Sequence, residues 1–289
     1  MESRSQTGWR LRAQPFGAHL LTASLDLPSG PREVFYLSPR SLGPLAPVRG
    51  GIPVLFPQFN ELGPLPKHGL VRTATWQRIK GEALSSCEPN HVLGASRGER
   101  AAGAAPSSQG FKLDLGPEVH PAWPHRAELL LMMQASGGDL VIKLEICNTG
   151  DSVFEWTGGL HPYFLVADLG VCALKGLGGE RVIDRFHPAL RHQPGGAIVW
   201  TGEMFERLFD CRSAVEFDIG WATLHLSMTG FDQWMVWNPG EEGALTLKDL
   251  PPQDWKRFVC VEPVCVSRPQ RLAPDERFSG ALRISVKPR

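Results

Sequence analysis

Apolar and polar positions alternate with a period of two along much of this chain. In DLVIKLEICN, residues 139–148, Ile142, Leu144 and Ile146 alternate with Lys143 and Glu145, as in a strand with one wet face. AVEFDIG sets Val215, Phe217 and Ile219 against Glu216 and Asp218. ALRISVK sets Leu282, Ile284 and Val286 against Arg283, Ser285 and Lys287. WATLHLSM and FKLDL repeat the pattern more weakly. Turn clusters such as SGGD, NTGD, GLGGE, QPGG, NPGEEG and LPPQ punctuate these runs, often about a dozen residues apart, as in a β-sandwich or barrel. No long segment has a capped 3.6-residue periodicity, and strands do not alternate with helices, which argues against doubly wound and TIM-barrel folds. The pattern predicts an all-β protein with few short helices, built as one large antiparallel domain over residues 1–289. Residues 81–110, rich in Gly, Ala and Ser, read as an exposed loop or an insertion between strands.

Composition narrows the partners. Thirty basic residues balance thirty acidic ones in 289, so no broad electrostatic footprint for nucleic acid or an anionic membrane is expected. A small anion remains compatible, because two well-placed arginines suffice. The opening MESRSQTGWRLRAQPF lacks an apolar signal core, and no apolar run reaches 18 residues. The six cysteines are scattered without a C-x-x-C pair and read as reduced thiols. Cys260 and Cys265 do not have metal-ligand spacing, so no metal is expected. These features predict a cytoplasmic, monomeric protein without membrane or nucleic-acid partners.

Nucleotide fingerprints are absent: there is no G-x-x-x-x-G-K-[ST], and GLGGE lacks a strand-to-helix context. His120 and His125, in HPAWPH where prolines preclude a shared helical face, and His187 and His192, in loop-like sequence, read as solvated. RGGIPVLFPQFNELGPLPKHGLVR, residues 49–72, is different. Turn chemistry accounts for its glycines and prolines but not for Arg49, Gln58, His68 and Arg72. In GLHPYF, His161 sits among apolar and aromatic residues. It reads either as a silent hydrogen-bonded histidine or as a general acid or base titrating near neutrality. In RFVCVEPVCV, alternation puts Phe258, Cys260 and Glu262 on one face. Glu262 is the one acid in an apolar run, and it must have partners, face a cleft, or sit on an edge strand pointing to water, as Pro263 would permit. Trp234 and Trp237 in DQWMVWNPG read as core residues or as a platform for a sugar ring.

Taken in order, RGGIPVLFPQF, PKHGLVR, GLHPYF, GEMFERLF, MVWNP and FVCVEP make the chain resemble the aldose 1-epimerase superfamily, in its glucose-6-phosphate 1-epimerase (hexose-6-phosphate mutarotase) branch. The resemblance spans nearly the whole length. It implies a large antiparallel β-sandwich of the galactose mutarotase-like supersandwich type, and an isomerase of carbohydrate metabolism acting on a sugar phosphate without cofactor. It also implies that His161 is the general acid, Glu262 the general base and His68 a sugar-holding residue. Arg49 and Arg72 would form the phosphate site, with glycines 50 and 51 letting backbone amides approach; ordinary surface ion pairs are the alternative for both arginines. Glu206 stands where the family usually has Asp, one methylene shorter. Asn60 replaces a common glycine, and Lys67 a usual glutamine. Gln58, Glu206 and Trp237 complete the expected substrate-binding set. Two other readings stay open: an aldose 1-epimerase for unphosphorylated hexoses, and a non-catalytic carbohydrate-binding protein on the same fold.

Overall fold

The computed structural model describes residues 8–41, 46–79 and 107–289. Eighteen strands account for nearly half of them. The first nine are β1 (Trp9–Gln14), β2 (His19–Leu27), β3 (Gly30–Glu33), β4 (Val54–Leu55), β5 (Gln77–Ile79), β6 (Ser107–Leu115), β7 (Ala127–Ser136), β8 (Asp139–Asn148) and β9 (Phe154–Leu160). The second nine are β10 (Tyr163–Leu165), β11 (Ala173–Lys175), β12 (Val182–Asp184), β13 (Phe205–Phe209), β14 (Val215–Asp218), β15 (Ala222–Thr229), β16 (Gln233–Asn238), β17 (Phe258–Leu272) and β18 (Arg277–Pro288). Among the described residues the only α-helix is the five-residue α1, Gly240–Ala244.

Every pairing among these strands is antiparallel. An eight-stranded sheet runs β11-β14-β15-β18-β8-β7-β6-β5, and a seven-stranded sheet runs β12-β13-β16-β17-β9-β4 with β10 also on β17. A third sheet, β1-β2-β3, flanks them. The two large sheets share one hydrophobic core. Across it, Trp156 of β9 meets Phe278 of β18 with ring centroids 4.8 Å apart, and Phe164 of β10 meets Phe217 of β14 at 6.0 Å. Aromatic pairs at these separations contribute about 0.5–1.5 kcal/mol beyond simple burial. No helix among the described residues is long and apolar enough to cross a membrane.

Two expectations change. Residues 107–110 are not loop but the start of β6, paired with β7; the rest of the stretch 81–110 lies outside the described residues. The wet face expected on β8 is also partly closed. Glu145 is buried, because Lys143 at 2.6 Å and Arg277 at 3.2 Å compensate its charge.

Segment 49–54 crosses beside β2 through two consecutive glycines. Gly51 has φ +59°, and a Cβ there would stand 2.0 Å from the Leu20 carbonyl oxygen, so no other residue fits. His19 supports the same crossing: its Nε2 lies 2.7 Å from the Gly50 carbonyl and donates to it. Burial is complete and pulls the His19 pKa down to about 4, against the smaller opposing pull of that hydrogen bond. Because the folded value is depressed below the ordinary 6.5, the unfolded chain binds the extra proton first. This contribution is therefore intact above pH 6.5 and is lost as pH falls toward 4. Urea denaturation at pH 7 and pH 5 should show His19→Gln losing about 2 kcal/mol less than the parent between the two values. Equal losses would place the acid sensitivity elsewhere.

Candidate active site

The register of the seven-stranded sheet assembles the site. Directly paired residues share a face, so Glu206 (β13), Trp237 (β16), Cys260 (β17) and Tyr163 (β10) form one row across four strands. Leu208, Met235 and Glu262 form the next row on that face. Val259 and Val261, on the opposite face, enter the main core. β17 is therefore central, and the edge-strand reading of Glu262 does not hold.

Pro263 is tolerated there for a local reason. Gly159 pairs with Val264, and Tyr163 pairs with Cys260, in one common register. Between those pairs Leu160, His161 and Pro162 lie opposite Val261, Glu262 and Pro263, and the ladder has no pairs. Neither proline has an N–H to give, so the ladder opens where both occur. The His161 amide instead donates to the Pro53 carbonyl at 3.0 Å. The opening sets the imidazole against the carboxylate, with His161 Nε2 3.4 Å from Glu262 Oε1.

Both groups are almost wholly buried, His161 at 8% and Glu262 at 1% exposure. Glu262 Oε2 and His161 Nδ1 have no protein partner. Burial, and then the Glu206 charge, push the Glu262 pKa well above the usual carboxylate range. Burial, then His68, then Arg49 and Arg72 push His161 well below the usual histidine value. Both shifts favour the neutral forms, a carboxylic acid facing an imidazole. Tyr163 stacks on His161 at 4.8 Å, nearly parallel, and Trp237 meets it edge-on at 6.1 Å, fixing the ring.

His68 stands across the cavity, its ring 5.7 Å from that of His161. Its Nδ1 accepts from the Asn60 amide at 3.2 Å, which leaves Nε2 as the protonated nitrogen. Burial, followed by the charges of Arg72, Lys67 and Arg49, lowers its pKa to about 3, so it is a neutral donor at ordinary pH. Asn60 itself has φ +49°, a left-handed backbone that glycine adopts freely and asparagine tolerates. That accounts for asparagine at a position where glycine is common. Its buried side-chain oxygen has no protein partner and lines the cavity.

These groups surround a cavity of about 390 Å³, near the lower end of the ~300–1,000 Å³ common for small-molecule sites. Arg49, His68, Arg72, His161, Glu206, Trp237 and Glu262 all line it. Gln58 does not. Its side chain clips the loop shut, donating to the carbonyls of Asn60 and Leu65 and accepting from the Leu65 amide, each within 3.0 Å. The Gly51 amide is likewise committed, donating to the Tyr36 carbonyl at 2.7 Å, so it is not turned toward an anion. Trp234 faces the core, where its indole N–H donates to the Ser213 carbonyl. Of the four histidines expected at the surface, His187 and His192 are exposed, while His120 and His125 are half-buried.

Three lining residues were not evident from sequence. Tyr163 lay inside the GLHPYF motif yet carried no polar signal of its own. Asp249 pairs with Arg49 at 2.8 Å, and Arg185 pairs with both Glu206 oxygens at 3.0 and 3.2 Å. Both sit in unpatterned loops far from their partners in sequence. Arg49 also reaches toward the Tyr163 hydroxyl at 3.5 Å. Arg72 donates to the Lys67 carbonyl at 2.7 Å, and its buried Nε has no protein partner.

The sequence profile of the aldose 1-epimerase family matches residues 5–285. A Cenchrus ciliaris protein named "Putative glucose-6-phosphate 1-epimerase" is 28% identical over 89% of this chain and 76% of its own length. An Escherichia coli protein of the same name is 29% identical over 94% of this chain and 85% of its own. The crystal structure of "a putative mutarotase (YeaD)" from Salmonella typhimurium superposes with a TM-score of 0.77 at 25% identity, covering 98% of this chain and 88% of that one.

Because Gln58 shapes the loop that carries His68 without reaching the cavity, Gln58→Ala should lower unfolding free energy by about 1–3 kcal/mol. Chemical denaturation of the variant measures this. An unchanged midpoint would mean that the loop holds without the clip.

Proposed function

This chain belongs to the aldose 1-epimerase family, and from that premise we propose that it interconverts the α and β anomers of a hexose 6-phosphate, with glucose 6-phosphate as the preferred substrate. The observation that carries this reading is the opposed pair His161–Glu262 at the floor of a cavity whose wall holds two arginines. One catalytic domain over the whole chain supplies every group.

Anomer exchange needs a base at the C1 hydroxyl and an acid at the ring oxygen. Glu262 takes the O1 proton as the C1–O5 bond breaks; O5 takes a proton from His161, and C1=O1 forms. After rotation about C1–C2 the steps reverse: His161 recovers the O5 proton, and Glu262 returns its proton to O1 as O5 closes on the other face of C1. Atoms and charge balance with no metal or redox partner in the sequence of steps. His68 Nε2–H, Glu206 and Asn60 hold the sugar hydroxyls, and Trp237 offers an apolar face to the ring.

The active tautomer, carboxylate with imidazolium, holds as many protons as the neutral pair. Reaching it therefore requires only that one proton move from Glu262 to His161. Arg49 and Arg72 disfavour that move by depressing His161. A phosphate bound to them cancels part of this field, so substrate binding itself favours the reactive tautomer. Asp249 meanwhile neutralises Arg49 and holds its fork in place until the phosphate arrives.

Polarimetry or NMR exchange spectroscopy tests these roles. Glu262→Gln and His161→Ala should each reduce kcat by about 10²–10⁴-fold while the fold survives. A fully active Glu262→Gln would refute the base assignment. Arg49→Gln or Arg72→Gln should raise KM for glucose 6-phosphate by about 10–100-fold, with little change for glucose. Equal effects on both sugars would point to an unphosphorylated aldose as substrate. Asp249→Asn keeps an acceptor for Arg49 but removes the competing charge, so KM for the phosphorylated sugar should fall several-fold. A rise would assign Asp249 to orientation alone.

A further inference from the structure

Cys260 is a buried thiol that the proposed reaction does not use. It lies on the same face of β17 as Glu262, two residues away, and neighbours Tyr163 and Trp237 across the ladder. Its Sγ, a ring nitrogen of His161 and a carboxylate oxygen of Glu262 all lie within 4.8 Å of one another. Cys265, the other cysteine of the strand, alternates to the opposite face and is not part of this group.

From this geometry we infer that His161, Cys260 and Glu262 form an inhibitory site for a thiophilic divalent cation of the Zn²⁺ type. Thiolate, imidazole and carboxylate are the donors such an ion selects, whereas Mg²⁺ and Ca²⁺ require an oxygen shell. Two ligand atoms on one tetrahedral zinc stand about 3.5 Å apart, so the trio closes onto an ion by a contraction of about 1 Å. Open valences are present before it arrives: Glu262 Oε2 and His161 Nδ1 are buried and unpartnered. Entry is through the cavity, which His161 and Glu262 line. The fourth coordination position faces the cavity and is filled by water. On binding, the Cys260 Sγ–H proton and the Glu262 carboxyl proton pass to solvent, and Zn²⁺ takes their place. The ion then occupies both groups assigned as acid and base, so binding and turnover exclude each other.

The binding arm of the test is independent of the proposed reaction, whereas the inhibition arm rests on it. The full chain is titrated with Co²⁺, whose bond to a thiolate gives a charge-transfer absorption. The parent should show this absorption, and Cys260→Ala should lack it. Anomer exchange on glucose 6-phosphate should be inhibited by Zn²⁺ but not by Mg²⁺, and a chelator should restore it. In Cys260→Ala the inhibition constant should rise by more than about tenfold, with metal-free activity retained. Cys260→Val, which fills the same apolar volume, should behave likewise if the alanine variant folds poorly. The inference is overturned if the absorption is missing from the parent, if it persists in both variants, or if Zn²⁺ inhibits parent and variants equally. If the protein shows no anomer exchange but the Co²⁺ absorption depends on Cys260, the metal site stands and the reaction assignment falls.

Discussion

The site depends on placing an ionisable carboxyl group in the middle of a sheet. Burying an isolated charge there would be prohibitive, and evolution's usual remedy is a firmly paired counter-ion. This protein instead keeps Glu262 within reach of a single imidazole and leaves one of its oxygens without a partner. Burial favours the neutral form of each group, and the proposed reaction asks only that one proton move between them. Two prolines, Pro162 opposite Val261 and Pro263 opposite Leu160, flank the break in the ladder that leaves the two groups opposed. The ordinary rule that proline avoids a central strand is therefore locally suspended by the same break that creates the site.

The second constraint is electrostatic. Arg49, Arg72 and Lys67 gather at one side of the cavity in a chain whose total charge is zero. Two neighbouring histidines are held uncharged partly by this cluster. In the proposed reaction, phosphate recognition and proton placement would consequently not be separate properties. The cations that would hold the substrate also set the resting state of the groups that would transform it. Asp249 moderates the arrangement by satisfying Arg49 in the absence of an anion.

The sandwich was legible in the sequence because period-two alternation is a local signal, and strands such as β8, β14 and β18 carry it plainly. The pair His161–Glu262 was legible as two anomalies, each a polar residue in an apolar run. Their opposition across 3.4 Å was not, since register between strands so far apart in the chain has no local signature. Gln58 misled for a related reason: a buried amide looks the same in sequence whether it serves a ligand or ties a loop. Asp249 and Arg185 escaped notice because unpatterned loops give no hint of where they return. The closed outer face of β8 was hidden likewise, as Glu145 finds Arg277 only through the pairing of β8 with β18.

The register joining β9 and β10 to β17 also bears on how the protein comes into being. Gly159 meets Val264, so closing this part of the ladder must wait for a long intervening stretch of chain to be made and ordered. The eight-stranded sheet has a quicker start, because β6, β7 and β8 follow one another as hairpins. During synthesis the imidazole of His161 is thus present long before its carboxylate emerges. No nascent or truncated form ending short of residue 262 holds both groups, so the opposed pair is completed in a single late event rather than by degrees.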